Sequence, residues 1–320
     1  MSKSTHPGWV PGLKTGLVDG LRRGWDGFVW MLKILLPVSF LTFVIEWTGV
    51  LQYADAVVGP AMALFRLPAS AAVALAAGLL TGIYGGIAAM SVLPLTVSQM
   101  TLVALFLLIS HNLIQEGIIQ GKSGLHPVKA TLWRLGASVV TVWWVGFFLE
   151  LPAAGGVPVY MTGAAGTGTF GAALSRWSAG LLRLSATMFL IIVTLMVLLS
   201  WLKIFRLVDR TVVFLTPLLR LLGLDRNVGM LWLTATVFGI SYGGALIVQE
   251  AEESGLSEQE LERLHVSIGM HHSVIEDPAV FLPFGIHAFW LWIPRLVAAV
   301  VAVRLYDLYQ RCRRKKAQEV

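Results

Sequence analysis

Apolar residues run in stretches of about twenty, the length a helix needs to cross a bilayer core, at 31–50, 70–93, 101–120, 132–151, 180–202, 228–249, 264–286 and 288–307. Segments 51–66 and 204–222 are too polar or too short for that and read as amphipathic helices lying at the interface. Upstream, Leu13, Leu17, Leu21 and Phe28 recur at helical steps beside Lys14, Arg22 and Arg23. That pattern fits a helix lying on the inner surface or packed on a partner. Two of the eight runs differ from the rest. One carries Thr81-Gly82-Ile83-Tyr84-Gly85-Gly86 at its centre, and the other carries Ile240-Ser241-Tyr242-Gly243-Gly244. Broken backbone at membrane depth survives where protein or a water-filled cavity surrounds it. Both runs are therefore expected to enter and leave by one face.

Charge decides between eight crossings and six. Lys and Arg collect on the cytoplasmic side of short loops. Eight crossings from an inner N-terminus place Lys122, Lys129, Arg134, Lys203, Arg206, Arg210, Arg220 and Arg226 outside. Six spans with two re-entrant segments put 20 of the 24 basic residues inside and leave Arg66 and Arg176 outside. Composition agrees with a lipid environment: 56% of the chain is hydrophobic and 13% charged, against roughly 25% charged in soluble domains. The net charge of +6 is thus a matter of membrane orientation and not of nucleic-acid binding. Cys312 is the chain's one cysteine, so neither a disulfide framework nor a thiolate metal site is expected within one chain.

The chain also repeats. Residues 82–88 reappear at 239–245, 110–116 align with 270–276, and Gly59-Pro60 answers Thr216-Pro217, at offsets of 157 to 160. Three spans and one re-entrant piece per half make the halves inverted, an arrangement of many secondary transporters, whose sites lie where the repeats meet. The expected organisation is a cytoplasmic amphipathic segment 1–30, a first repeat 31–151, an outer Gly/Ala-rich connector 152–176, a second repeat 177–308 and a basic tail 309–320. The fold class is an all-α polytopic membrane protein.

Ionisable side chains inside membrane helices are costly and mark function by default. His111, Asn112, Gln115 and Glu116 fall in one span, and His271, His272, Ser273, Glu276 and Asp277 in its counterpart. Asn112 and Glu116 are four apart, as are His272 and Glu276, so each pair is expected on one helix face. Two readings stay open: a polar network that ties the bundle together, or a cavity in which Glu116 and Glu276 bind a polar solute, a cation or a proton. By donor type, His111, Glu116, His271, His272, Glu276 and Asp277 suit zinc or ferrous iron, with His271, His272 and Glu276 the candidate ligands. The strong zinc-protease pattern is absent, and no cofactor is expected.

Two copies of a polar Gly-Gly element, each followed by a helix with His or Asn and Glu, resemble the Gate, or nucleoside-recognition, membrane domain. That domain is similar to the core of concentrative nucleoside transporters, to parts of the ferrous iron transporter family B and to small spore-maturation proteins. The resemblance covers about 25–150 and 177–308. It implies that Tyr84, Gly85, Gly86, Asn112 and Glu116, with Tyr242, Gly243, Gly244, His272 and Glu276, line a substrate site. His272, where the first repeat has Asn112, is more basic than a neutral nucleoside site needs. The absence of a recognisable scaffold or nucleotide-binding domain implies a homodimer or a second membrane subunit. The expected role is transport of a small polar solute or ion across a bacterial inner membrane, coupled to protons or cations, with both termini cytoplasmic. The rivals are an intramembrane enzyme using the His/Glu cluster and a non-transporting subunit.

Overall fold

The computed structural model describes residues 9–150, 169–205, 217–224, 228–239, 244, 247–249 and 256–318. Tyr242, Gly243, most of the 152–176 connector and much of the 204–222 helix lie outside the described residues. All regular structure among the described residues is helical. In chain order the helices are α1 (Trp9–Trp47), α2 (Leu51–Ala63), α3 (Ala71–Thr81), α4 (Ile83–Met90), α5 (Val97–Ser110), α6 (Leu113–Lys122), α7 (Pro127–Val145) and α8 (Phe170–Ile204). They continue as α9 (Gly229–Phe238), α10 (Glu258–His271), α11 (Glu276–Ala279) and α12 (Ala288–Gln318). Among the described residues, four stretches are long and apolar enough to cross a membrane: Val10–Trp47, Val97–Lys122, Phe170–Ile204 and Ala288–Cys312.

The N-terminal amphipathic segment runs on past residue 30 without a break. It is continuous with the first span as one 39-residue helix. The cause is a glycine stripe at Gly12, Gly16, Gly20 and Gly24 that lets α1 lie against α8. A Cβ at Gly20 would stand 2.3 Å from the Val197 Cα, and one at Gly24 2.8 Å from the Val193 Cα. Small residues at such spacing allow close backbone approach in membranes. The Trp201 indole donates to the Leu13 carbonyl at 3.0 Å, and Trp177 to the Ser39 hydroxyl at 3.1 Å. Helix α8 begins at Phe170, capped by the Thr169 side chain. Helix α8 packs on α1 and shares its hydrophobic cluster.

Helices α3 and α9 have 11 and 10 residues, about 16 Å at 1.5 Å per residue, which is too short to cross the roughly 30 Å core. After α3 the chain turns back at Gly82 (φ 90, ψ −177), a region essentially closed to other residues. Helix α4, all eight residues buried, then lies along α3. There, a Cβ at Gly85 would meet the Ala77 carbonyl at 3.0 Å. Gly239, which ends α9, has nearly the same conformation (φ 88, ψ 163). The segment Val97–Lys122 sits centrally, with 67% of its apolar window buried against 28% for α1 and for α8. Its single break, at His111–Asn112, is where the site forms.

Candidate functional site

Helix α5 ends at Ser110. His111 is extended (φ −71, ψ 161) and Asn112 left-handed (φ 49, ψ 45) before α6 starts. Ending a helix orphans its last carbonyls, and three groups take them up. The His111 backbone N–H and its ring Nδ1 both lie 2.8 Å from the Leu107 carbonyl. Arg134, from α7, donates its Nε to the Ile109 carbonyl at 2.9 Å and its Nη2 to the His111 carbonyl at 2.8 Å. The Asn112 N–H reaches the Gly78 carbonyl on α3 at 3.0 Å.

The same construction recurs 161 residues later. Helix α10 ends at His271, His272 is extended (φ −83, ψ 167), and Ser273 is left-handed (φ 47). His272 Nδ1 lies 2.9 Å from the Ile268 carbonyl. Arg295 donates to the Met270 and His272 carbonyls at 2.7 and 2.5 Å. The Val274 N–H reaches the Thr236 carbonyl on α9 at 2.8 Å.

This geometry corrects the register of the repeat by one residue. His111 matches His272, Asn112 matches Ser273, and Glu116 matches Asp277, not Glu276. The i, i+4 face fails for His272 and Glu276 because α10 ends before that pair, whereas Asn112 caps α6 in a left-handed conformation, its carbonyl accepting from the Glu116 N–H at 3.0 Å. Asn112 donates to the neighbouring Gln115 side chain at 2.9 Å, and Gln115 is exposed. Glu276 opens α11 and accepts from the Tyr84 hydroxyl at 3.1 Å. Tyr84 in turn sets its ring edge-to-face against Trp30.

The four matched residues do converge. His111 Nε2 lies 3.0 Å from Glu116 Oε1 and 3.7 Å from Asp277 Oδ2. His272 Nε2 lies 3.3 Å from the same glutamate oxygen and 4.0 Å from the same aspartate oxygen. The two imidazoles are 5.1 Å apart. Arg134 Nη1 stands 2.8 Å from Glu116 Oε2 and offsets its charge. All five of these side chains are buried. Among the described residues, His111, Glu116 and His272 are the grouping able to hold a metal ion. That replaces the expected set of His271, His272 and Glu276. His271 is buried outside this grouping, with its Nδ1 unpaired among the described residues.

The glycines serve packing. Cβ atoms at Gly78 and Gly86 would collide with the Leu107 side chain at 2.4 and 2.2 Å, so Leu107 of α5 wedges into the α3–α4 hairpin. Gly244 approaches Ile119 of α6, where a Cβ would come within 2.5 Å. Gly269 makes room for the Gln120 amide and the Arg134 chain. A cavity of about 150 Å³ reaches Glu276 and is lined by Arg23, Ser200, Lys203, Phe238 and apolar side chains of α8.

Arg134 and Arg295 are the residues that sequence reasoning missed. Arg134 was counted as a cytoplasmic loop charge, yet it is 2% exposed and holds the centre. Arg295 is fully buried within an otherwise apolar run. Their 161-residue separation was the available signal.

A comparison with curated proteins finds similarity to a protein of Bacillus subtilis (strain 168) named "Uncharacterized membrane protein YvoD". The two are 28% identical over 293 residues, which cover 89% of this chain and 91% of that one. Together with the four span-length apolar helices, this places the chain. It is a membrane protein. No protein-family model matches it, and no solved structure does. The membrane protein therefore contacts lipid through its outer helices, and the exposed Trp30, Phe40 and Leu41 of α1 and Leu182 and Leu190 of α8 form part of that surface.

Proposed function

We propose that this protein carries a small ion, or a polar solute of few heavy atoms, through the point where its two halves meet. His111, Glu116, His272 and Asp277 are the groups that bind it. One observation carries the reading: two broken helices, built alike, bring their ionisable residues to a single buried cluster. Burying so many ionisable groups is costly and is characteristic of substrate and ion pathways. Inverted halves of three spans each, with both termini cytoplasmic, belong to this reading, as does kinship with the Gate domain. A second copy of the chain, or another membrane subunit, would complete the assembly.

The test is flux into proteoliposomes that enclose proton- and zinc-sensitive dyes, under an imposed membrane potential. Wild type is expected to change one dye signal, and Glu116→Gln or Asp277→Asn to lower the rate at least about tenfold, one lost interaction of ~1.4 kcal/mol in the transport step. Equal rates in wild type and both variants, or no flux of either cation in wild type, contradict the proposal.

A further inference from the structure

The orientation of the two imidazoles says more about the occupant. A backbone carbonyl only accepts hydrogen bonds, so the Nδ1 atoms of His111 and His272, at 2.8 and 2.9 Å from the Leu107 and Ile268 carbonyls, must carry protons. In the neutral ring that leaves a lone pair on each Nε2, and both lone pairs face the carboxylates. Imidazole fixed through Nδ1–H on a backbone carbonyl, with Nε2 free, is the outer-sphere arrangement typical of metal-ligating histidine. Glu116 is prepared in the same way, since Arg134 holds Oε2 at 2.8 Å and leaves Oε1 toward the histidines.

The spacing agrees. Bonds of about 2.0–2.1 Å in a tetrahedral site separate ligand atoms by about 3.3–3.4 Å. The four imidazole-to-carboxylate separations are 3.0, 3.3, 3.7 and 4.0 Å, bracketing that value. His272 Nε2 and Asp277 Oδ2 are buried without a hydrogen-bond partner among the described residues, and both point into this space.

We propose that His111 Nε2, His272 Nε2 and Glu116 Oε1 hold a divalent first-row transition-metal ion, with Asp277 Oδ2, 3.7 and 4.0 Å from the two imidazole nitrogens, closing in as the fourth, tetrahedral ligand so that each half supplies two. Two imidazoles and two carboxylates suit zinc, cobalt(II) or ferrous iron, whereas calcium and magnesium ask for oxygen ligands. That the metal is the transported or coupling ion rests on the transport reading above. Its binding does not.

The experiment uses the full chain purified in detergent, titrated with zinc by calorimetry and with cobalt(II) by visible absorption. His126→Gln/His287→Gln serves as background, because these two imidazoles are exposed and bind metal adventitiously. The expected result is one ion per chain in wild type and background, with the intense visible bands of tetrahedral cobalt. His272→Gln and Asp277→Asn, checked for folding by circular dichroism, are expected to weaken binding about 100-fold or more, the upper end for disturbing a metal site. If a variant fails to fold, the wild-type cobalt spectrum decides alone. No binding, an octahedral spectrum, or binding that disappears in the background variant overturns the metal site. Zinc binding without zinc flux leaves the site standing and refutes metal transport. Proton flux without metal binding does the reverse.

Discussion

Arg134 and Arg295 do at the residue scale what a continuing helix would otherwise do. Each guanidinium fork takes two carbonyls orphaned by a break, and a lysine ammonium on a flexible stem lacks that fork geometry. Hydrogen bonds to charged groups contribute about 1.5–3 kcal/mol. Arg134→Lys and Arg295→Lys are each expected to lower stability by roughly that amount, read as unfolding midpoints in detergent. Unshifted midpoints would show that the breaks hold without the guanidiniums. Arg134 has a further role through its ion pair with Glu116. Removing the acid leaves a buried charge without its partner, so Glu116→Ala should destabilise more than Glu116→Gln, whose amide oxygen still accepts.

At the element scale, glycine decides where helices turn and how closely they pass. Gly82 and Gly239 hold a conformation that costs other residues about 1–3 kcal/mol. Gly82→Ala and Gly239→Ala should each lose that much stability, while Gly59→Ala, with open space around its Cβ position, should lose none. Gly20→Val should separate α1 from α8, measured as a fall in the unfolding midpoint equivalent to about 1–3 kcal/mol for an overpacked contact. These elements also show what was readable in the chain. The two glycine breaks and the polar cluster stood out because polar residues are rare in apolar runs. The glycine stripe of α1 did not, since Lys14, Arg22 and Arg23 made that segment look like a surface helix. The site's register slipped because spacing arguments presume an unbroken helix, and the breaks at His111–Asn112 and His272–Ser273 violate that presumption. Glu262 pairs with Lys129 at 2.5 Å and accepts from Tyr306 and Gln310, tying α7, α10 and α12 together.

For the whole molecule, the proposed function joins two separable statements, that the halves are inverted in the membrane and that they share one site. The first predicts that position 122, the last residue of α6, and Cys312, near the end of α12, face the same compartment. In a Cys312→Ser background, Lys122→Cys should resist a membrane-impermeant thiol reagent added outside intact cells, as the single native Cys312 should. Labelling of either from outside would reverse the topology.

The second statement is the central one, and a double-mutant cycle tests it most directly. Dye-reported cation flux is measured for wild type, His111→Gln, His272→Gln and the double variant. Residues acting as one unit are strongly non-additive. The account predicts that each single change lowers the rate at least about tenfold and that the double variant is no slower than the slower single. A double variant slowed by the product of the two single effects would mean that the histidines act at separate places, and would contradict a shared site.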